Sequence, residues 1–418
     1  MTEDLPAESS WFKMTTWLLF ANLFRNLGLI AILVLLARFT NSESVGHYSL
    51  ALAINTPIFT FAEFGMRTVY LTLQREYRFS SYIAVRVSMI GGAFVVGAIV
   101  SLFFPLEIGV SIVLVAAVKF MDSLSDLFSA PLQKYNAAEK IMRGYLVGAI
   151  LGTAVVAVAL WQTRSLNAAL ASLLVVSTIV AIIMWRPAHK LVRVAERDLE
   201  PSPRRTELTE IVRAGLPTGV SWAMLSLVAT MPQYFLAPTH GPTEVGRFAI
   251  ILYVLAAVEL FLNALSQSWI PTARERWSAG ESVGHFARAV TVVSARWTAF
   301  FIPLTIVGVA AMWFLMPLVF GPVYTMSLGE LIPLAVCILS TPAVFFGAIG
   351  LTVRNLYAEG IILSAAAAIT SFVLCAVIIP GYGVEGALWA TFGAYGVRAI
   401  TAFVILFRSR RLPATATA

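Results

Sequence analysis

The chain is poor in charge. Only 12% of its 418 residues are Asp, Glu, Lys or Arg, and 59% are hydrophobic. A soluble globular protein carries about 25% charged and about 45–50% apolar residues. No soluble core could bury this surplus, so the composition excludes a soluble domain and defines a polytopic membrane protein, in keeping with a mean hydropathy of +0.83. Cysteine is scarce too. Cys337 and Cys375 are the two present, and both fall inside predicted spans, which argues against a disulfide framework; nothing shows metal-ligand spacing. The four histidines, His47, His189, His240 and His285, lie unclustered in loops or at span ends. No Gly-x-x-x-x-Gly-Lys-Ser/Thr loop occurs, so nothing points to nucleotide hydrolysis or to a bound cofactor. The start, Met1 to Ser10, is acidic and lacks the basic region of a cleaved signal peptide. Span 1 therefore reads as an uncleaved signal anchor.

What is present is a series of apolar segments. A hydrocarbon core of about 30 Å needs roughly 20 helical residues. On that criterion the first half holds Met14–Ala37, Val45–Gly65, Tyr82–Phe104, Leu106–Ala130, Gly144–Gln162 and Leu166–Trp185. The second half holds Leu216–Leu236, Val245–Ile270, Val290–Phe314, Leu328–Leu351, Gly360–Ile379 and Val384–Phe407. The expectation is an all-α integral membrane protein of twelve transmembrane helices. The net charge of +7 would suggest nucleic acid in a soluble domain. Here the cations sit in short loops, so membrane topology explains them and no nucleic-acid partner is expected. With the N-terminus inside, the outer loops hold only Arg38, Arg164 and Arg247, and the other extramembrane cations fall inside. The predicted orientation puts both termini in the cytoplasm.

Between the halves runs a polar stretch, Arg186 to Arg213, in which seven cations face Glu196, Asp198, Glu200, Glu207 and Glu210. Glu200-Pro201-Ser202-Pro203 interrupts any helix there. Leu191, Val192, Ala195 and Leu199 recur at helical spacing, which extends span 6 as an amphipathic helix. Thr206 is a candidate N-cap for a second one carrying Leu208, Ile211 and Val212. The domain reading is 1–185 for one six-helix bundle, 186–213 for a cytoplasmic linker, and 214–418 for the second bundle.

Three echoes link the halves. Val45-Gly46-His47-Tyr48 opens span 2, and Val245-Gly246-Arg247-Phe248 opens span 8. Asn136-Ala137-Ala138-Glu139 precedes span 5, and Asn355-Leu356-Tyr357-Ala358-Glu359 precedes span 11. Leu166-Asn167-Ala168-Ala169 opens span 6, and Val384-Glu385-Gly386-Ala387 opens span 12. Each occupies an equivalent place in a six-plus-six layout. That predicts two parallel repeats around a central cavity, related by an axis along the membrane normal.

The chain also resembles a known family. Leu36-Ala37-Arg38-Phe39, Glu43-Ser44-Val45-Gly46-His47-Tyr48, Phe64-Gly65-Met66, Gly215-Leu216-Pro217, Glu244-Val245-Gly246-Arg247-Phe248 and Gly383-Val384-Glu385-Gly386-Ala387 carry the likeness. It looks like a bacterial polysaccharide transporter of the O-antigen flippase type, from the superfamily that also holds multidrug extruders and peptidoglycan-precursor flippases. The resemblance implies a cytoplasmic (inner) membrane protein that is not an enzyme. It implies export of an undecaprenyl-diphosphate-linked oligosaccharide from the inner to the outer leaflet. Its partners would be that lipid-linked oligosaccharide, membrane lipids and polysaccharide polymerase machinery. A cation-coupled multidrug extruder is the alternative within the same superfamily.

Ionisable residues inside the membrane are expensive, at about 2.5–3.5 kcal/mol or more each, so each needs a partner or a wet cavity. Arg25, beside Asn26, lies mid-span 1. A guanidinium stays charged when desolvated and matches phosphate oxygens in pairs. Arg25, Asn26 and Glu63 are therefore the candidate substrate-binding residues, the alternative being an Arg25–Glu63 packing pair. Lys119, Asp122 and Asp126 share one face of span 4. They read as a proton or cation relay, or as a Lys119–Asp122 neutral pair with Asp126 near the interface. Glu259, mid-span 8, is the fourth coupling candidate or the partner of an arginine. Arg398 reads as part of a structural pair, and Arg86 and Arg296 as residues that snorkel from span ends.

Overall fold

The structure is a computed structural model describing residues 8–408 apart from 74, 199–202 and 355. The acidic start through residue 7, Leu199, the Glu200-Pro201-Ser202 break, Asn355 of the second echo, and Arg410 and Arg411 lie outside the described residues. Among those described, the regular structure is all helical.

The first helices are α1 (Glu8–Phe39), α2 (Ser42–Glu63), the short α3 (Met66–Thr72), α4 (Phe79–Ser101), α5 (Leu106–Lys134), α6 (Ala138–Thr163) and α7 (Leu166–Ala195). They are followed by α8 (Arg204–Ser268), the short α9 (Ile270–Ser278), α10 (Val283–Phe320), α11 (Leu328–Val353) and α12 (Tyr357–Arg408). Among the described residues nine helical stretches are long and apolar enough to cross a membrane. Among the described residues α2 is not one of them, because His47, Asn55 and Pro57 dilute its hydropathy. Its Asn55 is fully buried and donates to the carbonyls of Ala51 and Ile112, at 2.9 and 3.0 Å.

Two helices are too long for one crossing. A straight 65-residue helix would run about 98 Å, three times the hydrocarbon core. One non-helical glycine divides each: Gly241 (φ 81°) in α8 and Gly383 (φ 54°) in α12. Positive φ costs a residue with a Cβ, which is why glycine occupies both breaks. They fall where the sequence places the loops between spans 7 and 8 and between spans 11 and 12. Pro57, Pro232 and Pro342, by contrast, stay inside continuous helix.

The chain divides into two compact units, Met1–Ala223 and Met224–Ala418. In the first, α1 packs on α6, α5 on α7, and α2 and α4 on α5. The core there joins Phe64, Met66, Tyr82, Leu127, Ile141 and Met184, with Ile211 of α8 added. In the second, α11 packs between α10 and α12, around Phe286, Val290, Phe346 and Leu406.

The linker differs from the sequence expectation. Thr206 is not a cap. The Pro203 carbonyl accepts from Thr206 and Glu207 at 2.9 and 3.2 Å, so Arg204 already starts the helix. The amphipathic segment then runs unbroken into predicted span 7. On the other side α7 continues to Ala195 before a single 3-10 turn, Glu196–Asp198. Glu196, Glu207 and Glu210 reach the start of α4, accepting hydrogen bonds from the Phe79 amide, Ser81 and Tyr77 respectively. The linker is tied to this unit by carboxylates at a helix N-terminus, where negative charge is favoured.

Candidate functional site

The first unit gathers most of its membrane-embedded charges in one region, and they fall into two groups. One group is closed. Arg86 of α4 is fully buried. It donates to the Ser123 carbonyl at 2.9 and 3.1 Å, to the Glu63 carbonyl at 2.7 Å and to the Asp126 carboxylate at 3.1 Å. Arg67 of α3 meets the other Asp126 oxygen at 3.3 Å and Gln133 at 2.7 Å. Arg86 therefore does not snorkel. Helix α4 begins at Phe79, which places Arg86 about 10 Å along it, and its guanidinium is spent on carbonyls and one carboxylate. Glu63 ends α2, and Phe64 and Gly65 follow with φ of 49° and 56°. Arg86 thus pins the α2–α3 elbow to α5.

The second group is open. Arg25 of α1 is exposed, with its guanidinium 5.5 Å from the centre of the Tyr145 ring of α6. That is within cation–π range. Asp122, Asp126 and Glu63 act on it electrostatically. Lys119, half-buried on α5, lies in the field of Glu63, Asp122 and Arg25. Asp122 lies beside the buried Ser177 of α7. Among the described residues no ion pair joins Arg25 to Glu63 or Lys119 to Asp122. Both packing pairs considered from the sequence are therefore absent from the described ion pairs. Asn26 is turned along its own helix, donating to the Asn22 carbonyl at 2.8 Å.

The fold thus assembles Arg25, Lys119, Glu63 and Asp122 from α1, α2 and α5, with Tyr145 beneath the arginine. Asp126 belongs to the closed group. An accessible arginine held on an aromatic face, with its donors free of carboxylates, is suited to a planar anionic oxygen group.

Glu259 belongs to the second unit. It is half-buried and accepts a hydrogen bond from the Tyr395 hydroxyl. Arg398, one turn along α12, shares its field, and the Arg398 Nε is buried with no partner among the described residues. The Tyr395 partnership had no sequence signal, because the two residues lie 136 positions apart. Tyr145 and Ser177 were missed for the same reason. Arg86 did carry a signal, a cation well inside an apolar run.

Solved membrane transporters share this helical fold. The lipid II flippase MurJ in an inward closed conformation superposes with a TM-score of 0.69 over 94% of this chain and 90% of that one, at 10% identity. An inward-facing multidrug-resistance MATE transporter superposes with a TM-score of 0.64 over 91% of this chain and 93% of that one, at 13% identity. At these identities the likeness is one of fold. Residues 12–276 match the family described as polysaccharide biosynthesis protein, and the chain belongs to that family. The capsular polysaccharide biosynthesis protein CapF of Staphylococcus aureus is 25% identical over 269 residues, which span 63% of this chain and 66% of that protein, just under two thirds.

Proposed function

We propose that this protein is a flippase that moves an undecaprenyl-diphosphate-linked oligosaccharide from the inner to the outer leaflet of the bacterial cytoplasmic membrane. The transport serves surface polysaccharide synthesis and proceeds by alternating access. The observation that carries this reading is Arg25: a membrane-embedded guanidinium, exposed, on the Tyr145 ring and free of any described ion pair. A diphosphate supplies the paired oxygens that such a group binds best. Family membership and the flippase fold support it.

In this reading twelve spans form two parallel six-helix repeats, 1–185 and 214–418, joined by the cytoplasmic linker 186–213, with both termini inside. Two features support the repeat. The glycine breaks bring α8 and α12 to four crossings. The short helices α3 and α9 also follow equivalent spans. Polymerase machinery on the outer face would consume the product. Glu63 and Lys119 adjust the field around the diphosphate, and Asp122 and Glu259 are the carboxylates placed to couple transport to a cation. The MATE-like fold favours a second reading, a cation-coupled small-molecule antiporter using those same carboxylates.

Mass spectrometry of total lipid from a deletion strain separates the two. Accumulation of a diphosphate-linked oligosaccharide, reversed by the intact gene but not by Arg25→Ala, is the expected result. No accumulation while the saccharide-assembly enzymes are expressed would overturn the flippase reading and leave the antiporter.

A further inference from the structure

Between helices α11 and α12 runs an open, shallow groove of about 520 Å³. Ala343 of α11 and Ile400, Phe403, Val404 and Phe407 of α12 line it, and Arg408 stands at its end. Every lining side chain except Arg408 is apolar. Ile400, Val404 and Phe407 are themselves exposed, so the groove is open along its length. From Ile400 to Arg408 the helix advances about 12 Å, close to the thickness of one leaflet of a core of about 30 Å.

The polar end is fixed in place. Arg354, buried against the Trp277 ring at 4.8 Å, donates to the Leu406 carbonyl at 2.7 Å. The last turn of α12 is therefore held at the α11 end, and Arg408 lies at the end of that helix. Arg408 is exposed and makes no ion pair among the described residues. A leaflet-long apolar slot ending in an unpaired arginine complements one molecular shape: an acyl chain whose headgroup carries a phosphate. A cation near the membrane surface attracts anionic lipid, and guanidinium suits phosphate oxygens.

We infer that the α11–α12 groove is a binding site for one anionic phospholipid of the bilayer, with an acyl chain along Ala343, Val404 and Phe407 and the phosphate on Arg408. The site is independent of the transport reading, since none of its residues belongs to the Arg25 region. It would keep one lipid on this face while the surrounding lipids exchange.

The test uses the full-length protein purified in neutral detergent. Phosphatidylglycerol, phosphatidylcholine or undecaprenyl phosphate is added, and retained lipid is counted by native mass spectrometry. The wild type should retain one phosphatidylglycerol in preference to phosphatidylcholine by about fivefold, the effect of one basic residue at a membrane surface. Arg408→Gln should bring that preference close to parity. Ala343→Phe, which fills the slot, should remove retention of either phospholipid while the melting temperature in detergent stays near wild type. Should Ala343→Phe fail to fold, Phe407→Ala, which removes one wall, should weaken retention of both phospholipids alike. Unchanged phosphatidylglycerol preference in Arg408→Gln would overturn the assignment. So would displacement of phosphatidylglycerol by equimolar undecaprenyl phosphate, which would give the groove to an isoprenoid tail.

Discussion

The two units treat membrane-embedded charge differently. In the first, Arg86 and Arg67 share Asp126, and Arg86 spends its remaining donors on the carbonyls of Ser123 and Glu63. Beside them Arg25, Lys119, Glu63 and Asp122 stand without a described ion pair. In the second unit one carboxylate, Glu259, is held by a tyrosine hydroxyl with Arg398 nearby. A saturated charge fixes the fold, because each of its bonds would be lost on moving. A charge with donors to spare is available to a ligand. The first unit contains both kinds a few residues apart, and the second contains a small, partly satisfied version.

The strongest way to break this comparison is at Arg86. Arg86→Met leaves Asp126 short of one partner and strips two carbonyls of their donor. Removing one member of a buried pair costs about 3–5 kcal/mol. Thermal unfolding of the purified protein should show a large drop in melting temperature, and Arg86→Met combined with Asp126→Leu should recover part of it. An unchanged melting temperature in the single variant would show that the closed group does not hold the elbow.

The next effect is functional rather than structural. Arg25→Ala removes an exposed side chain with no described ion pair, so its melting temperature should stay near wild type while surface polysaccharide is lost. Arg25→Lys should restore only part of the transport, because a point charge lacks the planar fork. Equal loss in melting temperature for Arg25→Ala and Arg86→Met would erase the distinction between open and closed charge.

Asp122 and Asp126 sharpen the contrast on one helix. Asp126→Asn should destabilise more than Asp122→Asn, since Asp126 answers two arginines and Asp122 is in no described ion pair. Parallel melting curves decide it, and the reverse order would mean the two carboxylates have been assigned to the wrong groups. The smallest effect belongs to the second unit. Tyr395→Phe removes a single hydrogen bond to a carboxylate, worth about 1.5–3 kcal/mol at most. A modest melting shift is expected, and a shift as large as that of Arg86→Met would show Glu259 to be as deeply integrated as Asp126.

Much of the helical layout was legible from the residues. The long apolar runs dictate helices, because lipid offers the backbone no hydrogen bonds. Even the two loops reduced to a single glycine were marked, by Gly241 within the Pro-rich turn after span 7 and by Gly383 after Pro380. The linker was read less well. Its amphipathic period was visible, but nothing local revealed that the segment starting at Arg204 and predicted span 7 form one helix. The short helices α3 and α9 carry too few residues for a periodic signal.

For the charges, the sequence determined which residues would be costly in a membrane, since hydropathy and position along a span suffice for that. It named Arg25, Glu63, Lys119, Asp122, Asp126 and Glu259, and it set Arg86 aside. Only the tertiary structure decided which of them are already occupied. Asp126 is taken by two arginines from α3 and α4, Arg86 by carbonyls of α2 and α5, and Glu259 by a tyrosine of α12, whereas Arg25 rests on Tyr145 with its donors open. The reason is physical. The cost of a buried charge is a local property that a sequence carries, but its compensation comes from side chains and carbonyls brought across by packing from residues tens to more than a hundred positions away.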